Sequence, residues 1–213
     1  MKFILLAGLI PVILSFLARK FFYERVVKRD GGFGVSFTGR ELAEKILKKG
    51  KAESVELTVK KLTFVKLGPT HLVLSPDQAS SKKGDVVAEA ALLAGMVLMA
   101  RQQNKVVAWR TWALKFSWAM PAFTTIVMAF AMVIGRLSPT LCLGVVAAVL
   151  GMSTVLLWLT LPVEKAAAKV VADLLDGTAL IPRRNEAERL ANLVKAMPWR
   201  RIIPGAIAWI GRK

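Results

Sequence analysis

The sequence predicts a mainly α-helical membrane protein. Three transmembrane helices are expected, with a small α+β cytoplasmic domain and a helical, amphipathic C-terminal tail. Three observations carry this. Over half of the 213 residues are hydrophobic, and the mean hydropathy is +0.51. That apolar content is concentrated in three runs, two of which hold no charge over about 20 residues, the length that crosses a hydrocarbon core. The net charge of +17 lies almost wholly outside those runs.

The first run, 3–18, is apolar except for Ser15. It is slightly short for a span, and Lys2 before it looks like the start of a signal peptide. No small-residue cleavage site follows. Instead Arg19, Lys20, Phe21, Phe22 and Tyr23 form a basic and aromatic edge of the kind found at a membrane interface. Residues 1–18 are therefore read as a retained anchor, with a removed signal peptide as the alternative. Pro11 is tolerable in such a helix.

Residues 19–115 are read as the cytoplasmic domain. Gly31-Gly32-Phe33-Gly34 is a flexible link. Thr38 with Glu41 three residues on has the pattern of a helix-capping box, and Leu42, Ala43, Ile46 and Leu47 make a helical stripe that ends at Gly50. Val55–Val59, Leu62–Val65 and Leu72–Leu74 are short strand-like runs, with a turn at Gly68-Pro69, so a sheet of two or three strands is expected. Residues 85–100 form an apolar helix whose only acid beyond its first residue is Glu89. It is too short to span and is expected to be buried in protein or laid against the membrane. Trp109, Trp112 and Trp118 mark the headgroup zone ahead of the next run.

Phe116–Ile134 and Leu141–Leu161 carry no charge, and Gly135-Arg136-Leu137-Ser138-Pro139 between them is a turn. So short a gap predicts an antiparallel hairpin over 116–161. The tail, 162–213, opens with Pro162-Val163-Glu164 and continues as a helix with Val170, Val171, Leu174 and Leu175 on one face, ending at Gly177. Leu190, Leu193, Val194 and Met197 give a further amphipathic turn or two. Trp199, Arg200, Arg201 and Trp209 suggest a last segment lying in the interface.

Orientation follows from the basic residues beside the runs. Arg19, Lys20, Arg25, Lys28 and Arg29 follow the first run, Arg101, Lys105, Arg110 and Lys115 precede the second, and ten more lie from Lys165 onward. The hairpin loop holds only Arg136. The N-terminus and that loop are expected outside, and 19–115 and 162–213 in the cytoplasm of a bacterial cell, at its inner membrane. The basic face is expected to lie near anionic lipid headgroups. Nucleic-acid binding is the competing reading of such charge, and no finger, helix-turn-helix or RNP-like pattern supports it.

One Cys and one His leave no disulfide and too few ligands for an ordinary zinc site. No cofactor is expected. His71 reads as a turn residue and Cys142 as a small membrane hydrophobe. Ser75, Ser80 and Ser81 have no His to activate them.

The order of parts resembles a known family. The anchor helix, the segment Phe37-Thr38-Gly39-Arg40-Glu41-Leu42-Ala43-Glu44-Lys45-Ile46-Leu47, the strand Leu72-Val73-Leu74-Ser75, the apolar helix, the hairpin and Leu161-Pro162-Val163-Glu164 follow one another as in the YugP-like bacterial membrane zinc metallopeptidases. The similarity covers roughly residues 1–195. In that family the apolar helix carries HExxH, in which two His hold zinc and Glu is the general base. Counted without a gap from Ser75, those positions fall here on Leu92, Leu93 and Met96, within Leu-Leu-Ala-Gly-Met. Leu is no ligand, and Met does not suit a hydrolytic zinc. The resemblance therefore implies a member without its metal site and without catalysis, a pseudopeptidase acting as scaffold or accessory subunit beside other integral membrane subunits. Glu89, Met96 and Met99, with the interfacial Trp199, Arg200, Arg201 and Trp209, are the residues expected to touch a partner or lipid. For Glu89 the first expectation is that it snorkels to the surface or pairs with a Lys or Arg, with a role in binding a partner or a proton as the alternative, and Glu164 is expected to cap the helix that follows it. A membrane hydrolase with a relocated site and a stand-alone binder of anionic lipid are the other readings.

Overall fold

The computed structural model describes residues 2–61, 67–135, 137–177 and 180–208. It is mainly helical, with three helices long and apolar enough to cross a membrane and one small two-stranded sheet. The elements in order are α1 (Lys2–Arg19), a π-helical turn (Lys20–Glu24), α2 (Arg25–Asp30), α3 (Gly39–Lys49), β1 (Glu56–Val59), β2 (His71–Leu74), α4 (Pro76–Ser80), α5 (Gly84–Gln102), α6 (Asn104–Val133), α7 (Pro139–Gly177), α8 (Arg184–Ala196) and a 3-10 turn (Met197–Arg201).

The three apolar runs all lie in helices, and each helix outlasts its run. The first continues through the π turn to Asp30, the second begins at Asn104, and the third extends to Gly177. The expected break after Leu161 is absent: α7 passes through Pro162. A proline in a helix interior forfeits one hydrogen bond, to the carbonyl four residues before. Here the helix is packed along both α1 and α6 and on α5 and α8 beyond, which holds it together across that gap.

The helical hairpin and anchor are built around small and polar residues. Gly8 in α1 lies so close to α7 that an added Cβ would sit 2.3 Å from the carbonyl oxygen of Ala147, and Gly151 meets Gly8 in the same way. The Trp158 indole N–H donates to Ser15 Oγ at 2.7 Å, a second tie between these helices. Ser15, Ser117, Thr124, Ser153 and Thr154 are buried, whereas Phe123, Ile126, Phe130 and Val133 point outward, Phe130 being 70% and Val133 84% exposed. Small residues at the contact and large apolar ones outside is the pattern of helices packed in lipid.

The remainder is a conventional core with α5 at its centre. α5 packs against α3, α7 and α8, and Leu42, Ile46, Leu72, Leu190 and Leu193 close around it. The expected capping box forms completely: Thr38 Oγ1 accepts from the Glu41 N–H and the Glu41 carboxylate accepts from the Thr38 N–H. Ser75 and Gln78 form a second one at the start of α4. β1 and β2 pair in parallel, Glu56 opposite His71 and Val59 opposite Leu74. The strand expected at Leu62–Val65 lies outside the described residues.

Among the described residues, α8 is followed by the 3-10 turn and by no further α-helix. The 3-10 turn leads to Ile202 and Ile203, both buried against Ala18 and Leu161. Trp199 stacks on Phe22 with ring centroids 4.4 Å apart and meets Trp158 edge-on. These contacts pack the apolar side chains of the segment against Ala18, Phe22, Trp158 and Leu161. Trp209 lies outside the described residues.

Candidate functional site: a basic pocket where the spans meet the core

Leu92, Leu93 and Met96 lie in the middle of α5, 1%, 1% and 0% exposed. They face α3, α7 and α8 as part of one apolar cluster. Gly95 beside them allows α7 to approach: an added Cβ would be 2.4 Å from Val171 Cγ2 and 2.9 Å from the Ala167 carbonyl oxygen. Met96 spends its whole side chain on this core and presents no outer face, so as a contact residue it is corrected to a packing residue. Met99, one turn on, is half-buried against the same cluster. Among the described residues, no three of His, Cys, Asp and Glu come together as a metal-holding group. His71 is exposed at the start of β2, and Cys142 is buried in α7.

One turn before Leu93 the same helix turns polar. Glu89 receives two arginines from the tail: Arg200 Nη1 donates to its Oε2 at 2.6 Å, and Arg201 Nη2 to its Oε1 at 2.7 Å. Glu89 is therefore partnered within the chain. Burial alone would raise its pKa. The charges of Arg201 and Arg200 outweigh that and, with hydrogen bonds from Arg201 and Gln78, bring it down to about 2. Burial likewise works against the charge of Arg201, and Glu89 together with the nearby Glu164 more than offsets it, so that its pKa lies above the usual guanidinium value.

A second buried pair sits beside the first. Glu164 does not cap a helix, because α7 is continuous through it. Its Oε1 accepts from Arg110 Nε of α6 at 2.6 Å, and both side chains are almost fully buried. Arg110 Nη2 lies close to the same oxygen, off the line of a hydrogen bond. It has no hydrogen-bond acceptor among the described residues, and neither does Arg19 Nε. Arg19 Nε is 3.5 Å from Glu24 Oε1, an ion-pair distance only.

These groups surround a cavity of about 290 Å³. Five cations line it: Arg19 from the end of α1, Arg110 and Lys115 from α6, and Arg200 and Arg201 from the tail, with Glu89 as the acid among them. Leu114, Trp118, Ile203 and Ala208 supply apolar wall, and Thr111 and Ser117 add hydroxyls. The tail's close approach is set at Gly205, where an added Cβ would be 2.9 Å from the Trp118 ring. A small concave site with convergent cations and an apolar side can bind an anion carrying an apolar portion.

Of the residues singled out in the sequence, Glu89, Arg200 and Arg201 are brought together. Trp199 is packed nearby on Phe22 with Lys165 Nζ 4.2 Å above its ring. Leu92, Leu93, Met96 and Met99 belong to the core. Arg19, Arg110, Lys115 and Trp118 are added by the structure. Their sequence signal is their place near the ends of the apolar runs, which points to an interface and an orientation and not to a pocket. No family model matches the chain, and no curated protein and no solved structure matches it.

Proposed function

We propose that this chain is a catalytically inactive, zinc-metallopeptidase-like integral membrane protein that serves as a scaffold or accessory subunit of a membrane complex. One observation carries the reading. Where the YugP-like peptidases have their two zinc-binding His and the general-base Glu, α5 has by ungapped count Leu92 and Met96 for the His and Leu93 for the Glu, and all three lie in a closed apolar core. A hydrolytic zinc needs N or O ligands and an open coordination position for water. A filled apolar core offers neither. The scaffold that surrounds it is what remains to function, through binding.

The placement in a bacterial inner membrane, with the N-terminus and hairpin loop outside, belongs to the same proposal. Its support is the bias of Lys and Arg to one end of all three apolar helices. Single cysteines placed at the hairpin loop and in α3, in a Cys142→Ala background, check it: the loop cysteine should react with an impermeant thiol reagent in intact cells and the α3 cysteine only after lysis.

Purification in mild detergent tests the function. Co-migration with fixed membrane partners on native gels, without stoichiometric zinc, is the expected result. Stoichiometric zinc, lost on chelation together with a hydrolytic activity, would sink the reading in favour of a membrane hydrolase. The basic pocket favours a second reading, a stand-alone binder of anionic lipid, and a chain that purifies alone and keeps bound lipid would support that instead.

A further inference from the structure

We infer that the cavity bounded by Arg19, Arg110, Lys115, Arg200 and Arg201 is a binding site for the phosphoryl headgroup of one anionic phospholipid molecule. The inference rests on the membrane part of the reading above and is independent of the scaffold role.

Charge comes first. The carboxylates paired with these five cations are Glu24, Glu89 and Glu164. Five against three leaves two positive charges around one cavity. Lys115 has no carboxylate within ion-pair distance among the described residues. Donor capacity comes second. Arg110 and Arg19 line the cavity, and each carries a buried guanidinium nitrogen that is ion-paired but makes no hydrogen bond, as does Glu164 Oε2 beside Arg110. Arg110 is about as buried as a side chain can be, 3% exposed. A buried donor that makes no hydrogen bond is costly, and an incoming oxyanion relieves it. Guanidinium groups match phosphate oxygens in shape as well as charge.

Position decides the source of the phosphate. Arg19 directly follows the apolar run 3–18, and Lys115 directly precedes the uncharged run that starts at Phe116. With those runs in the hydrocarbon, the cavity stands at the depth of the headgroups. Its apolar wall includes Trp118, on the spanning part of α6, and Ile203. At about 290 Å³ the cavity is at the small end of the ligand-site range of about 300–1,000 Å³ and suits a headgroup with its acyl chains left outside.

The test uses the full chain, delipidated in detergent and titrated with dioleoyl phosphatidylglycerol or dioleoyl phosphatidylcholine, with bound lipid counted by native mass spectrometry. One phosphatidylglycerol should bind saturably and more tightly than phosphatidylcholine. Lys115→Gln should weaken it about tenfold, the equivalent of about 1.4 kcal/mol, because it removes a charge-assisted contact. Lys115→Gln unpairs no acid, so it should fold. Lys48→Gln, which removes one exposed charge from α3, should leave binding unchanged. Equal retention of the two lipids, or equal effects of the two substitutions, overturns the site. Saturable binding of inorganic phosphate at the same residues with no preference between the lipids overturns the lipid source and assigns the pocket to a soluble phosphoryl compound. A chain that stays soluble without detergent sinks the membrane reading itself, a result distinct from failed lipid selectivity in a detergent-dependent protein.

Discussion

The core around α5 and the bundle of α1, α6 and α7 bury opposite kinds of residue. Around α5 the large apolar side chains are inside, Leu92, Leu93 and Leu193 among them. In the bundle the buried positions include Gly8, Gly151, Ser15, Ser153 and Thr154 beside a few apolar ones such as Val12 and Leu157, while Phe123, Ile126 and Phe130 face out. Water drives the first arrangement by expelling apolar surface. It cannot drive the second, because the apolar surface stays outside. Close van der Waals fit between helices is what an apolar solvent would reward. The proposed membrane placement gives each region its own solvent, and the charged pocket lies where the two regions meet.

Rebuilding the peptidase motif, L92H with L93E and M96H, breaks the comparison most severely. It places a carboxylate and two imidazoles in a closed apolar core, where an unpaired charge costs far more than a marginally stable fold can bear. The expected outcome is no folded protein in size-exclusion chromatography in detergent, with or without added zinc. A folded zinc-binding product would mean the core opens as a cleft. Arg110→Gln, which leaves Glu164 buried without its cation, should cost about 3–5 kcal/mol in reversible detergent unfolding. The double substitution Arg110→Gln with Glu164→Gln should recover most of that loss.

Leu92→Ala should cost about 2–5 kcal/mol as a cavity in the α5 core. Glu89 adds a pH dependence. Its folded pKa of about 2 lies below the usual 4.5, so its contribution is fully present above about pH 4.5 and is lost as pH falls towards 2. Acid unfolding followed by tryptophan fluorescence should show this, and Glu89→Gln should flatten the curve across that window. Phe130→Ala should change stability by only about 0.5 kcal/mol, since Phe130 packs on little of the chain. A loss as large as that of Leu92→Ala would mean that Phe130 faces a protein partner in the purified complex.

Much of this was legible in the sequence where the signal is local. Uncharged runs placed the long helices, and Thr38 with Glu41 announced the start of α3. Ser75-Pro76-Asp77-Gln78 carries the same kind of signal for α4, obscured by its place directly after a strand-like run. The pocket was not legible, because Glu89 meets partners 111 and 112 residues away and Arg110 meets Glu164 across 54. No periodicity encodes such pairings. The reading of α7 as two helices failed for a related reason: Pro162 weakens a helix locally, and packing along its length decides whether it breaks.

At a rise of about 1.5 Å per residue, the 39 residues of α7 reach about 58 Å. In the proposed membrane placement the hydrocarbon layer takes about 30 Å of that. The rest is a mast that carries α5 and α8 beside it. A thinner bilayer tilts such a mast, and its far end swings farther than its root. In that placement bilayer thickness becomes lateral displacement of the core, with α7, continuous through Pro162, as the lever.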